Sequence, residues 1–193
     1  MMRADAERNR QRLIAAAGAV FAERGLDVPM EDVARHAGVG VATLYRRFPT
    51  REALIAGAFE AKMARYAESV ARALDDPDPW AGLCAHIERI CAMQAEDRGF
   101  ACVLTMTFPA AKTFEAERRS AHEALVELVR RAKAAGRLRA DFSPEDIAIL
   151  LMANAGVVSA TADTAPDAWR RLVAYLLQAF AAHDAGPLPP APS

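Results

Sequence analysis

The chain is built of segments in which apolar residues recur at positions i, i+3, i+4 and i+7. The last segment, which starts near Pro166, places Trp169, Val173 and Phe180 on one face in this way. This spacing is typical of an amphipathic α-helix, and glycine or proline marks many of the segment ends. About nine such segments follow one another without an internal repeat. We therefore predict an all-α fold of about nine helices.

Composition agrees with this fold class. Alanine occupies 45 of the 193 positions, whereas aromatic residues make up only 7% of the chain, which favours helices and supplies strands poorly.

The longest apolar run, residues 147–153, is too short to span a bilayer. The charged N-terminus lacks the apolar core of a signal peptide, and the three cysteines form no CxxC pair. We expect a cytoplasmic protein without membrane association.

The charge is divided unevenly along the chain. Residues 1–50 carry eight arginines and six acidic residues, whereas the remainder carries 16 basic and 19 acidic residues. Two arginine clusters, at residues 8–12 and 46–51, flank a compact group of three predicted helices. Such a distribution suits a polyanionic partner, although solvated helix faces would look similar.

Residues 25–48 are the most informative part of the sequence. A short helix begins after Pro29 and ends at Gly38, and a second short helix follows from residue 41 to 48. Two short helices joined by a Gly-Val-Gly turn describe a helix-turn-helix unit. Leu44 faces the junction of the helices, so the other side chains of the last helix are left for phosphates and base edges.

This segment resembles the DNA-binding domain of the tetracycline-repressor (TetR) family of transcriptional regulators. Residues 37–39 read Ala-Gly-Val and residues 43–48 read Thr-Leu-Tyr-Arg-Arg-Phe, which are the family's hallmarks, and a basic residue and a leucine follow at Arg51 and Leu54. The match covers roughly residues 10–56. Gly40 departs from it, since many members have serine there, and the recognition helix is expected to lack a side-chain cap.

The resemblance implies a specific set of DNA contacts. Thr43, Tyr45, Arg47 and Arg51 occupy positions that commonly hold phosphates. Val41, Ala42 and Arg46 occupy positions that face bases. Arg46 either bonds O6 and N7 of a guanine or contacts another phosphate. Arg10 and Arg12 either reach the duplex or remain solvated.

The fifth predicted helix is apolar on more than one face, which suggests a ligand pocket. One stripe suffices for a small core, so the second is expected to face a cavity between the fifth, sixth and seventh helices, unless all these side chains pack together. The expected pocket residues are His86, Ile90, Met93, Phe100, Leu104, Met106, Phe108, His122 and Leu125. Cys84 and Cys91 lie on one face, but His86 points about 160° away, so buried thiols are preferred to a metal site. No metal or cofactor is expected.

The last two predicted helices carry broad apolar stripes, which favour a homodimer joined by a four-helix bundle. The expected interface residues are Ile147, Leu150, Leu151, Asn154, Val158, Trp169, Leu172, Val173, Leu176 and Phe180. Asn154 could set the register of this interface, cap a bend or face a pocket.

Together these features predict a ligand-responsive transcriptional regulator that is not an enzyme. Residues 1–48 form the DNA-binding domain, residues 49–185 the ligand-binding and dimerisation domain, and residues 186–193, with four prolines, a disordered tail. The expected partners are a double-stranded, pseudo-palindromic DNA operator, a second copy of the chain and a small apolar effector that releases the repressor. The alternative is a small-molecule-binding protein or an enzyme on the same scaffold without operator binding.

Overall fold

A computed structural model describes residues 2–104, 112–182, 186, 188 and 189, apart from the side chains of residues 2–6, 98, 101, 102, 112 and 113. These residues form nine helices, which confirms the all-α prediction. The helices are α1 Met2–Arg24, α2 Met30–His36, α3 Val41–Arg47, α4 Arg51–Leu74, α5 Pro79–Glu96, α6 Arg98–Val103, α7 Lys112–Ala134, α8 Pro144–Thr161 and α9 Ala168–Phe180.

The first turns of α5 and α8 carry the side-chain caps that the sequence predicts. At α5, one carboxylate oxygen of Asp78 accepts hydrogen bonds from the backbone N–H groups of Trp80 and Ala81, at 2.9 and 3.2 Å. At α8, Asp146 accepts from the backbone N–H of Ser143 at 2.7 Å, and the hydroxyl of Ser143 accepts from the N–H of Glu145. These bonds satisfy N–H groups that a helix leaves unpaired at its first turn.

The helices are grouped into two compact units. The first comprises residues 1–63 and 96–116, so it includes α1, α2, α3, the beginning of α4 and α6. Three phenylalanines form its centre: the ring of Phe59 lies 6.2 Å from Phe21 and 6.3 Å from Phe100, centre to centre. The unit therefore continues past the functional boundary predicted after residue 48, because α6 packs on α1. That functional boundary remains a prediction.

A buried carboxylate, paired with a half-buried lysine, fixes the start of α6 within this unit. The carboxylate of Asp97 is buried and forms an ion pair with the ammonium of Lys62 on α4. Its other oxygen accepts from the backbone N–H groups of Gly99 and Phe100, at 2.8 and 3.2 Å. Burial of a charge is costly unless the charge is paired and hydrogen-bonded. Because Asp97 would lose these contacts if it moved, they hold it in one position.

The second unit comprises residues 64–95 and 117–193. Leu83, Ile87 and Leu128 are completely buried in it, and α8 packs against α9. The rings of Phe142 and Phe180 meet edge to face, with ring centres 4.8 Å apart. Of the predicted disordered tail, residues 186, 188 and 189 are described: the carbonyl of Gly186 accepts from Arg139 and the N–H of Leu188 donates to Asp141.

Candidate functional site

The turn between α2 and α3 is fixed by backbone hydrogen bonds that require a glycine. Gly38 has a φ of +67°, a left-handed conformation that other residues rarely adopt. This turn lets the N–H of Gly38 donate to the carbonyl of Arg35 and the N–H of Val39 donate to the carbonyl of Ala34, at 3.1 and 3.0 Å. The C-terminal end of α2 is thereby closed before α3 begins.

Two buried side chains anchor α3 and decide which of its faces stays outside. Leu44 and Phe48 are buried, and the N–H of Phe48 donates to the carbonyl of Leu44 at 2.8 Å. Gly40 precedes the helix without a side-chain cap, as expected from the sequence. Because Leu44 alone is buried within α3, the rest of this short helix is accessible to a partner.

The structure brings the predicted DNA-contacting residues of α3 together on this accessible surface. Val41 and Tyr45 are 36% and 43% exposed, which is high for an aliphatic and an aromatic side chain. Ala42, Arg46 and Arg47 are exposed, and Thr43 is half-buried. Tyr45 is therefore not a core tyrosine. We define these six side chains as the α3 surface.

Three arginines near this surface stabilise the helix-turn-helix unit itself. Arg51 donates to the carbonyl of Leu26 at 2.6 Å, and Arg12 donates to the carbonyl of Ala37 at 3.0 Å. The guanidinium of Arg10 lies over the ring of Phe48, 5.8 Å from its centre. The hydrogen bond to Leu26 occupies one of the donors that Arg51 would offer to a phosphate. The sequence-based prediction of a phosphate contact for Arg51 did not take this bond into account.

A second group of functional interest is a set of buried polar side chains in the second unit, which we call the polar layer: Ser69, His86, Gln94 and Asn154. Nδ1 of His86 lies 3.0 Å from the hydroxyl of Ser69, and the ring of Tyr66 lies 5.5 Å from the imidazole. Burial, aided by the charge of Arg89, lowers the pKa of His86 to about 4. The imidazole is therefore neutral at neutral pH.

Asn154 and Gln94 form the second hydrogen-bonded pair of the polar layer. Its amide nitrogen donates to Oε1 of Gln94 at 2.9 Å and to the backbone carbonyl of Cys91 at 3.3 Å. Among the described residues, neither Oδ1 of Asn154 nor Nε2 of His86 has a hydrogen-bond partner. The sequence identified His86 and Asn154 individually, but it did not indicate that Ser69 and Gln94 accompany them in the core.

The two described thiols are poorly reactive. Burial raises the pKa of Cys84 to about 11 and that of Cys91 to about 12, with Glu88 adding to both shifts. Because the thiolate is the form that attacks electrophiles and binds metals, both side chains behave as small apolar groups at neutral pH. Nδ1 of His86 is engaged by Ser69.

Comparison with known proteins identifies the family of the chain. Residues 13–58 match the family described as bacterial regulatory proteins of the tetR family, and residues 78–180 match the SbtR-like transcriptional regulator C-terminal domain. The chain belongs to the TetR family. No curated protein sequence matches it significantly.

Solved structures agree with the TetR assignment. A TetR transcriptional regulator from Streptomyces coelicolor is 34% identical, with 90% of this chain and 98% of that chain covered and a TM-score of 0.54. A TetR transcription regulatory protein from Mycobacterium vanbaalenii is 30% identical, with 94% and 99% covered and a TM-score of 0.51. FadR from Bacillus subtilis, solved with stearoyl-CoA, shares the fold at 20% identity, 86% and 96% coverage and a TM-score of 0.63.

The TetR assignment makes this chain a ligand-responsive, DNA-binding transcriptional regulator. TetR-family proteins bind DNA operators, form dimers and bind small molecules, and they are generally not enzymes. The alternative of an enzyme or carrier without operator binding is not favoured. No helix among the described residues combines the length and apolar character needed to cross a membrane.

The described part of the predicted ligand-contacting set is divided between the two units. His86, Ile90, Met93 and Leu125 are buried and belong to the second unit. Phe100 and Leu104 belong to the first unit, where Phe100 stacks on Phe59. Met106 and Phe108 lie outside the described residues.

His122 requires a correction, because it is exposed and cannot line an enclosed pocket. The buried stripe of α7 runs through Ala121, Leu125, Leu128 and Ala132. His122 is the neighbour of Ala121 and lies beside this stripe, about 100° around the helix from it.

The predicted dimer residues also need revision. Ile147, Leu150, Leu151, Asn154, Trp169 and Val173 are buried within the chain itself. They pack inside the second unit and leave no surface for a partner, whereas Val158, Leu172, Leu176 and Phe180 are half-buried. The most exposed apolar side chains of α8 and α9 are instead Ile149, Met152 and Tyr175.

Proposed function

We propose that this TetR-family regulator is a homodimeric repressor that reads a pseudo-palindromic operator through the α3 surface. The observation that carries the proposal is the exposure of Tyr45, Arg46 and Arg47 on a helix anchored by Leu44. A phenol and two guanidinium groups can bond phosphates, and a guanidinium can also bond guanine edges. One short helix reads only a few base pairs, so two copies are needed for specificity.

The operator is obtained by selecting bound fragments from random duplex DNA. Arg47→Ala is then expected to weaken binding to all sequences, whereas Arg46→Ala also relaxes preference at one base pair per half-site. Arg72→Ala, which removes an exposed arginine of the second unit, is the matched control and leaves affinity unchanged. Equal affinity of Arg46→Ala, Arg47→Ala and wild type at physiological salt would refute the assignment.

The proposed dimer uses the exposed faces of α8 and α9. Ile149, Met152 and Gly156 follow one another at helical spacing on α8, and Leu172, Tyr175 and Ala179 do so on α9. Because α8 packs on α9, two such faces from two copies give the four helices of a bundle. The proposed interface is therefore still a four-helix bundle, but it is formed by these exposed residues of α8 and α9.

Two adjacent residues provide a matched test of the interface. Met152 is 62% exposed, so Met152→Asp is expected to give a folded monomer, because the charge disrupts only the contact between chains. Leu151 is 6% exposed, and Leu151→Asp is expected to unfold the second unit. Sedimentation and circular dichroism measure both effects. A dimer that survives Met152→Asp would place the interface elsewhere.

A small, mainly apolar effector is proposed to bind in the second unit and release the repressor from DNA. The same fold holds resorcinol in RolR, a structure 21% identical to this chain. Buried Ile90, Met93 and Leu125 supply apolar surface in the same unit as the polar layer. Release requires that the effector prefer the conformation that does not fit DNA.

A further inference from the structure

Two polar atoms in the core of the second unit are without protein partners among the described residues. They are Nε2 of His86, a residue 1% exposed, and Oδ1 of Asn154, a residue with no exposure. Buried polar atoms are nearly always hydrogen-bonded, because an unpaired one loses its bonds to water without replacement. Both atoms therefore require a partner of definite chemistry.

The chemistry required at Asn154 follows from its neighbours. The backbone carbonyl of Cys91 lies 3.3 Å from the side-chain nitrogen and can only accept a hydrogen bond. Exchanging the oxygen and nitrogen of the amide would place two acceptors against each other, so the orientation is fixed. With the two N–H groups given to Cys91 and Gln94, Oδ1 needs a donor from outside.

His86 is less restrictive. Its Nδ1 is paired with the hydroxyl of Ser69, and its low pKa of about 4 keeps the ring neutral. Depending on which nitrogen carries the proton, Nε2 donates or accepts. A hydroxyl group satisfies either arrangement, because it is both a donor and an acceptor.

The face of α5 that carries His86 is otherwise apolar. Ile90 and Met93, both buried, occupy the face of α5 that His86 shares. From His86 to Cys91, whose carbonyl accepts from Asn154, the helix rises by about 7.5 Å along its axis and turns by about 140°. The two polar atoms therefore lie at different levels of α5, and a molecule that reaches both carries its polar groups apart on an apolar framework.

The polar layer also discriminates against charge. Its four members, Ser69, His86, Gln94 and Asn154, are neutral. Among the described residues of the second unit, no other polar side chain is buried. Two cations act on groups in or beside the layer: Arg89, which is exposed, acts on His86, and Arg118, which is half-buried, acts on Tyr66. Neither cation is buried with the layer. A carboxylate or phosphate bound at the polar layer would therefore be buried without a paired cation.

We infer that the effector is an uncharged, mainly apolar molecule with a hydroxyl or N–H group that donates to Oδ1 of Asn154, and a second polar contact at Nε2 of His86. This inference rests on the proposed effector site and deepens it by naming the ligand class. Organic acids and phosphorylated molecules are excluded from that class.

Three probes of matched shape test the inference: 4-propylphenol, propylbenzene and 4-propylbenzoate. The phenol is expected to bind the wild-type protein about tenfold more tightly than propylbenzene, which leaves both polar atoms unpaired. The benzoate is expected to give no thermal stabilisation at millimolar concentration. Equal binding of phenol and propylbenzene, binding of the benzoate as tight as that of the phenol, or no binding of any probe would overturn the inference.

A variant locates the bound hydroxyl. Asn154→Leu removes the acceptor at similar volume and is expected to weaken the phenol about tenfold without weakening propylbenzene. Glu88→Gln, at an exposed position of α5, is the control and leaves both affinities unchanged. If Asn154→Leu fails to fold, ¹⁵N spectra of the wild-type protein decide: the phenol must shift the side-chain amide resonance of Asn154, and an unshifted resonance refutes the contact.

Operator binding, measured by fluorescence anisotropy on the same samples, separates this inference from the proposed function. A chain that binds the phenol selectively but no DNA contradicts the repressor and supports the ligand class. A chain that binds its operator but does not distinguish the three probes contradicts the ligand class alone.

Discussion

Gly99 provides a sharp test of how α6 packs on α1. A Cβ atom built on Gly99 would lie 2.8 Å from Cζ of Phe59, 2.9 Å from the backbone oxygen of Phe21 and 3.1 Å from its carbonyl carbon. Contacts this short are not tolerated, so in Gly99→Ala either α6 moves away from α1 or the neighbouring atoms yield. The backbone of Phe21 lies within a helix and cannot rotate aside.

The expected loss of stability follows from two opposing terms. Alanine favours a helix over glycine by about 0.5–1 kcal/mol, whereas overpacking a core costs about 1–3 kcal/mol. The ring of Phe59 is held between Phe21 and Phe100, so neither contact is easily relieved. We expect Gly99→Ala to lower the free energy of unfolding by about 2 kcal/mol, which corresponds to a fall in Tm of about 4–8 °C.

Gly18→Ala is the matched control, because the same substitution in α1 meets no atom within 4 Å. It is expected to stabilise the protein by about 0.5–1 kcal/mol through helix propensity alone. Thermal unfolding followed by circular dichroism at 222 nm measures both variants. If Gly99→Ala unfolds at or above the wild-type temperature, the close packing of α6 on α1 is wrong.

Three further predictions concern single groups. Lys62→Met leaves the buried carboxylate of Asp97 without its cation and is expected to cost about 1–3 kcal/mol in urea unfolding; an unchanged midpoint would show that the pair contributes nothing. The pKa of His86 is about 4 in the folded protein, which is lower than in the unfolded chain. The unfolded state therefore binds more protons, and the free energy of unfolding should fall by roughly 1.5 kcal/mol as the pH is lowered from 6.5 to 5. His86→Leu should remove this part of the slope, whereas the exposed-site control His122→Gln should keep it, and equal slopes in both variants would contradict the assignment. Ser143→Ala removes a helix cap and is expected to cost about 1 kcal/mol, so a variant as stable as wild type would refute the capping role.

The sequence by itself determined the features that depend on neighbouring residues. The turn at Gly38 and the capping of α8 by Ser143 rest on contacts within a few positions of the chain, and helical spacing marked Leu44 as the inward side chain of α3. Glycine, capping side chains and helical periodicity report such contacts directly. The helix-turn-helix unit and most helix starts could therefore be predicted, and the accessible side chains of α3 followed from them.

Only the tertiary structure decided which apolar face of a helix is inside. In α8, apolar residues surround the helix, so periodicity could not distinguish buried Leu151 from exposed Met152. The exposure of His122 was missed for a related reason, since a shift of one position turns a side chain by about 100°. The contact of Arg51 with Leu26, and that of Asn154 with Gln94, join residues far apart in the chain. Such pairs depend on how helices pack, and a single sequence carries no local signal of them.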